Sequence, residues 1–232
     1  MNAASGAIAG IIGGMGPEAT VELLRRVVAR TPARDDDEHL HWLVECNPRI
    51  PSRLAHLLER SGPDPTPELV RIARNLQAGG ATFLAMPCNT AHHYAPAIAA
   101  AVTIPLLDMV QLAVAQARAT GAGQRIGLLA SSAVHDTALY SNALAAHGLQ
   151  GVVPRRQDEV MALIRAVKQG DAGAAPRQAL AAIATDLARD CDVLLVACTE
   201  LSVIATALPS QPPVVDALDE LAAAIVAAAT QR

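Results

Sequence analysis

Short apolar runs alternate with amphipathic stretches along the whole chain. Residues 7–13 are apolar and end in glycines, which predicts a buried strand, and Pro17 then opens an amphipathic helix to about Arg30. A polar loop over 31–38 leads to a second strand at 39–46, and the prolines at 48 and 51 mark 47–52 as irregular. Helices are predicted around 53–60 and 67–77, the second closed by Gly79-Gly80. A third strand at 82–86, a helix at 91–101 and a short strand at Leu106-Leu107 follow. The pattern then restarts: strand 125–130, helix 134–147, strand 151–153, helices 159–168 and 174–189, strand 193–197, short strand 214–215 and a final helix. Strands alternating with helices predict α/β architecture with parallel sheets.

The restart is a repeat. Ile11 aligns with Ile126, the run ending in Cys88-Asn89-Thr90 with the run ending in Cys198-Thr199-Glu200, and Pro105-Leu106-Leu107-Asp108 with Pro213-Val214-Val215-Asp216. The offsets cluster near about 110 residues, the sign of an internal duplication. Two similar lobes are predicted, each a parallel sheet flanked by helices. Residues 1–107 with 217–232 form the N-terminal lobe carrying Cys88, and 108–216 the C-terminal lobe carrying Cys198, with the last helix packed back on the first lobe.

Composition narrows the class. Of 232 residues, 52% are hydrophobic but only 2% aromatic, which favours helix-covered parallel strands over a β-sandwich. A net charge of −4 leaves no electrostatic footprint for nucleic acid. No apolar run reaches the roughly 18 residues of a membrane span. The N-terminus lacks the basic region of a secretory signal. The four cysteines form no Cys-x-x-Cys pair and show no metal-ligand spacing. Free thiols in a cytoplasmic protein are expected.

A lone cysteine is usually a small core residue, and Cys46 and Cys191 take that reading. Cys88 and Cys198 differ because the repeat sets each directly after a buried strand and before a helix. Ligands of open α/β sheets bind at the carboxyl ends of strands, and a helix N-terminus favours thiolate. If the lobes face each other, two thiols flank one carbon. One removes its proton and the other returns a proton on the opposite side, as racemisation without a cofactor requires.

With Gly13-Gly14-Met15-Gly16-Pro17-Glu18-Ala19-Thr20, Asn47-Pro48-Arg49-Ile50-Pro51-Ser52-Arg53, Met86-Pro87-Cys88-Asn89-Thr90-Ala91-His92 and Cys198-Thr199-Glu200, the chain resembles the aspartate/glutamate racemase family over essentially its whole length, the aspartate branch most closely. The resemblance implies a two-lobed α/β fold, an active site between the lobes and a homodimer. It implies that Cys88 and Cys198 are the acid/base pair and that Asn89, Thr90 and Thr199 bind a substrate carboxylate. Arg53 and Lys168 match the family's two cations for the side-chain carboxylate. Met15, Asn47 and Glu200 complete the implied substrate-binding set. The substrate implied is a small amino acid, aspartate first; no PLP, other cofactor or metal is implied. Glu200 stands where cell-wall glutamate racemases carry histidine. Ser52 replaces an aspartate before Arg53, and Ser132-Ala133-Val134 replaces Thr-Gly-Thr, departures that leave room for glutamate or another amino acid.

Other features point elsewhere with less force. Gly14-Met15-Gly16-Pro17-Glu18-Ala19 has the form of a nucleotide-binding turn, but no acid follows at the expected place. A tight turn bringing backbone close to a small ligand fits better. His92 is expected near Cys88 as a supporting partner, and His93 at the surface. Residues 35–38 read as a solvated acidic loop. The alternatives to a racemase are a related lyase, such as a decarboxylase working through an enediolate, and a non-catalytic small-ligand-binding protein.

Overall fold

The computed structural model describes residues 6–230. Its first sheet holds β1 (Ala9–Gly13), β2 (Trp42–Cys46) and β3 (Phe83–Ala85), all parallel in the order β2-β1-β3. The second holds β4 (Arg125–Ala130), β5 (Gln150–Val152), β6 (Val193–Ala197) and β7 (Val214–Asp216), parallel in the order β5-β4-β6-β7. The two orders are equivalent, strand for strand. A parallel bridge between Leu84 and Leu106 stands in the first sheet where β7 stands beside β6 in the second. The predicted strand at Leu106-Leu107 is therefore reduced to that one bridge.

Strands β1, β3 and β6 are buried at every position, because helices cover both faces of each sheet. The helices are α1 (Pro17–Arg30), α2 (Arg53–Leu57), α3 (Thr66–Ala78), α4 (Ala95–Ala101), α5 (Met109–Ala119), α6 (Ser132–Asp136), α7 (Leu139–Ala145), α8 (Gln157–Lys168), α9 (Ala174–Leu187), α10 (Thr199–Ile204) and α11 (Ala217–Thr230). One apolar cluster runs through both sheets, from Ile11, Leu23 and Phe83 to Met109, Leu128, Leu195 and Leu221. Two others serve one sheet each, around Leu69, Ile72 and Leu84, and around Ile164, Ile183 and Leu194. Helix α11 touches both α1 and α5 within the shared cluster.

Several elements depart from the predicted ones. Helix α5 was not predicted; Asp108 caps it by accepting from the backbone N–H groups of Val110 and Gln111 at 3.0 and 3.1 Å. The helix predicted over 134–147 is broken into α6 and α7. Thr137 turns its hydroxyl back to the Ala133 carbonyl at 2.7 Å, and Ala138 takes the left-handed region at φ +53°. The helix predicted over 91–101 begins as a 3₁₀ turn, Thr90–Tyr94, before α4. Helix α2 stops at Leu57, and Arg60 beyond it has φ +49°. Cys46, expected in the core, is exposed at the end of the edge strand β2, whereas Cys191 is buried.

The turn after β1 is held by Gly14, at φ +95°. A Cβ there would collide with the Asn47 backbone, so only glycine permits the approach of the two loops. Its N–H donates to the Thr20 hydroxyl at 3.0 Å. This turn and the loop after β2 both lie at the carboxyl ends of their strands, as do both repeat cysteines.

Candidate active site

Cys88 follows β3 after Met86-Pro87, and Cys198 is the N-cap residue of α10, directly after β6. The two thiols line one cavity together with Met15, Arg53, Thr90, Lys168 and Glu200. Ser131 and Ile164 of the second sheet's connections and Ser52 and Leu54 of the first complete its wall. Its volume is about 20 Å³, room for about one water. A second, wider cavity of about 280 Å³ opens beside it at the start of α1. Ser52, Arg53, Lys168 and Glu200 line both, so they form the partition between an inner chamber with the thiols and an outer vestibule.

Arg53 is oriented by backbone. Its Nη1 donates to the carbonyls of Pro51 at 2.9 Å and Ile50 at 3.3 Å, while its buried Nε has no partner. Ser52, in the place of an aspartate, accepts from the Ala55 N–H at 3.2 Å and so caps α2. Lys168 lies 3.6 Å from Glu200. Thr90 and Ser131 share a hydrogen bond of 3.1 Å that joins the two halves across the chamber. Ser131 was not singled out from the sequence, although it stands directly before the Ser132-Ala133-Val134 departure; Val134 is in the core.

Asn89 and Thr199 are buried beside the two thiols without lining the chamber, and Asn89 Nδ2 and Thr199 Oγ1 have no hydrogen-bond partner among the described residues. Asn47 is not brought to the chamber. Its Nδ2 donates to Glu68 at 2.6 Å and its Oδ1 accepts from the Arg49 N–H, so it holds its own turn. His92 is buried, with Nδ1 2.9 Å from the Cys88 carbonyl and Nε2 accepting from the Met109 N–H at 3.1 Å. Burial pulls its pKa below the usual value, so the neutral ring donates through Nδ1 and fixes the Cys88 backbone. His93 is exposed.

The Cys198 thiol donates to Glu200 Oε2 at 3.2 Å. Burial first, and then the charge and hydrogen bond of Glu200, push this thiol well above its usual pKa, with Lys168 opposing. The expectation that a helix N-terminus makes Cys198 a thiolate is thereby corrected: α10 is only six residues long, and desolvation with an adjacent carboxylate outweighs its end. Cys198 rests as an acid. A thiol so raised would, in the role of a base, make a rate rise with pH toward its pKa, and, in the role of a donor, leave the rate flat until above that pKa. Glu200→Gln removes the repelling charge, so both limbs are expected to move to lower pH. Profiles of kcat/KM against pH for the two enantiomers of a substrate check this, and unmoved profiles contradict it.

The sequence profile of the Asp/Glu/hydantoin racemase family matches residues 12–225. The chain belongs to this family. It is similar to the broad-specificity amino-acid racemase RacX of Bacillus subtilis, 25% identical over 213 residues that cover 89% of this chain and 91% of that protein. Its structure is similar to that of an aspartate racemase from Picrophilus torridus, with 30% identity, a TM-score of 0.87 and coverage of 98% of this chain and 96% of that one. A glutamate racemase from Bacillus anthracis shares the two-lobed fold at 16% identity, with a TM-score of 0.66 over 96% of this chain and 81% of that one. The enzyme is an amino-acid racemase of the PLP-independent kind. Among the described residues, no helix is long and apolar enough to cross a membrane.

Proposed function

We propose that this racemase interconverts L- and D-aspartate by proton transfer between Cys88 and Cys198. The observation that carries the reading is the shared chamber: two thiols in one cavity with Arg53 and Lys168 at its partition. One thiol, as thiolate, takes the α-proton; the other, as thiol, returns a proton to the opposite face, and the roles exchange with direction. Cys198, resting protonated, is the donor in one direction, and Cys88 is then the base. The developing enediolate needs donors, and we assign this role to the unpartnered Asn89 Nδ2 and Thr199 Oγ1, each next in the chain to a thiol, and to Thr90, which lines the chamber. The side-chain carboxylate is assigned to the Arg53 guanidinium and Lys168.

The resemblance to two-lobed racemases supports a homodimer in the cytoplasm. The lobes are taken as residues 1–107 with 217–232, and 108–216.

A second reading of the substrate rests on Glu200. Its carboxylate, 3.6 Å from Lys168, offsets part of the positive charge at the partition and lowers the preference for acidic side chains. The name of the Bacillus subtilis relative agrees with such breadth. Incubation without added cofactor, first with L-aspartate, then L-glutamate, then neutral amino acids, followed by chiral separation, decides between the readings. For aspartate, Arg53→Gln is expected to lower kcat/KM by about ten- to a hundred-fold, the loss of a hydrogen bond to a charged group, while turnover of alanine changes little. Equal losses on both substrates would remove Arg53 from side-chain recognition.

A further inference from the structure

Tyr140 lies on α7, is 1% exposed, and has no part in the proton transfer proposed above. Its phenol donates to Asn89 Oδ1 at 2.5 Å, across the two halves of the molecule. Asn89 is itself 2% exposed, follows Cys88 directly in the chain, and leaves its Nδ2 buried without a partner. An unpartnered buried amide is costly and asks for an acceptor. The orientation of that amide is decided by where the phenol proton can go. Burial first, with the Asp108 and Asp216 charges adding, keeps the phenol protonated far above its ordinary range. Asp108 Oδ1 already accepts from the Val110 and Gln111 N–H groups. Asp216 accepts from Arg26, Ser202 and Leu218. The Asn89 carbonyl is thus the acceptor the phenol uses, and with Oδ1 turned to Tyr140 the two Nδ2 hydrogens turn away from it.

We infer that Tyr140 is a positioning residue: it locks the Asn89 amide, whose Nδ2 is buried and unpartnered directly after Cys88 in the chain, in the orientation that donates to the α-carboxylate of the substrate. The inference rests on the racemase chemistry proposed above for the identity of that carboxylate, but the donor itself is a property of the free protein. An α-carboxylate is common to every amino acid, so the device serves substrates of any side chain. It also ties an element of the second half of the chain to a donor in the first.

Tyr140→Phe keeps the ring and its packing and removes only the phenol oxygen. Asn89→Asp keeps the acceptor for Tyr140 and removes the Nδ2 donor. Two readouts separate positioning from mere structure. The first is kinetic: kcat/KM for the best amino acid is expected to fall about ten-fold in Tyr140→Phe, with no further loss when Asn89→Ala is added to it. The second needs no substrate: the rate of Cys88 alkylation by iodoacetate relative to iodoacetamide, located by mass spectrometry. Iodoacetate carries a carboxylate and iodoacetamide does not, so the ratio is expected to fall several-fold in Tyr140→Phe and at least as far in Asn89→Asp. A ratio unchanged in Tyr140→Phe overturns the inference, even if the wild type racemises amino acids. A ratio that falls while the wild type racemises nothing upholds the positioned donor and overturns the racemase chemistry. Additive kinetic losses in the double variant, with an unchanged ratio, assign Tyr140 to packing alone.

Discussion

Cys88→Ala and Cys198→Ala are each expected to lower racemisation by about 10³-fold, the middle of the range for a positioned acid or base. Both thiols are 6% exposed and line the same chamber, so alanine at either removes one side of the proton transfer with little change in packing. The two variants are not expected to be equivalent. With one thiol left, the α-hydrogen facing it can still be removed and returned on the same face. Each variant therefore retains slow deuterium exchange into one enantiomer, without inversion, and the two variants favour opposite enantiomers. Chiral separation with mass detection reads both quantities. Racemisation within ten-fold of wild type in either variant would eliminate that thiol as an acid/base group.

Arg26→Ala is expected to cost the largest share of stability of any single polar change. The Arg26 side chain is 12% exposed and that of Asp216 10%, and they meet at 2.7 Å. Arg26 also donates to the Ser202 carbonyl and to Glu22, both at 2.7 Å, and lies 3.1 Å from Asp219. Asp216 accepts from the Ser202 hydroxyl at 2.6 Å and from the Leu218 N–H at 2.9 Å. These bonds join α1 to α10, β7 and α11, and hence the glycine turn with Met15 to the helix that begins at Cys198. Removing the guanidinium strands a buried carboxylate, at a cost of about 3–5 kcal/mol. For a chain of this length the melting temperature is expected to fall by about 10 °C. Arg26→Met combined with Asp216→Leu is expected to recover most of the loss, since neither charge is left alone. Calorimetric unfolding of both variants tests this; a single variant within about 1 kcal/mol of wild type would mean that the pair is solvated.

Much of the architecture was legible because periodicity and repetition both reported it. The buried strands β1, β3 and β6 are continuous apolar runs, and the aligned cysteines mark the same corner of each half. The omission of α5 was avoidable on the same grounds. Leu106-Leu107-Asp108 repeats Val214-Val215-Asp216, both aspartates accept from the backbone at the start of the following helix, and a helix after the second predicts one after the first. The break between α6 and α7 depends on one threonine hydroxyl and one left-handed alanine, to which no hydrophobic pattern responds. Cys46 was misjudged because its strand is an edge, a fact of sheet order rather than of composition.

At the candidate site, motif spacing singled out residues that line one cavity, but not their protonation states. The resemblance carried Cys88, Cys198, Arg53, Thr90, Lys168 and Glu200 to one chamber, yet the protonation of Cys198 follows from burial and from the carboxylate 3.2 Å away. Ser131, Tyr140 and Arg26 carry no motif; each acts across the interface between halves, with partners 41 to 190 residues distant in sequence. Asn47 sits in a recognisable motif, but its amide is spent on Glu68.

The most direct test of the paired thiols is the reaction of the wild-type enzyme with L-aspartate in deuterium oxide at low conversion, with the deuterium content of each enantiomer measured separately. Two groups on opposite faces predict D-aspartate carrying solvent deuterium at the α-carbon, while the remaining L-aspartate stays protonated. Deuterium entering L-aspartate as fast as D-aspartate forms would mean a single group serving both faces, and would contradict the pairing of Cys88 with Cys198.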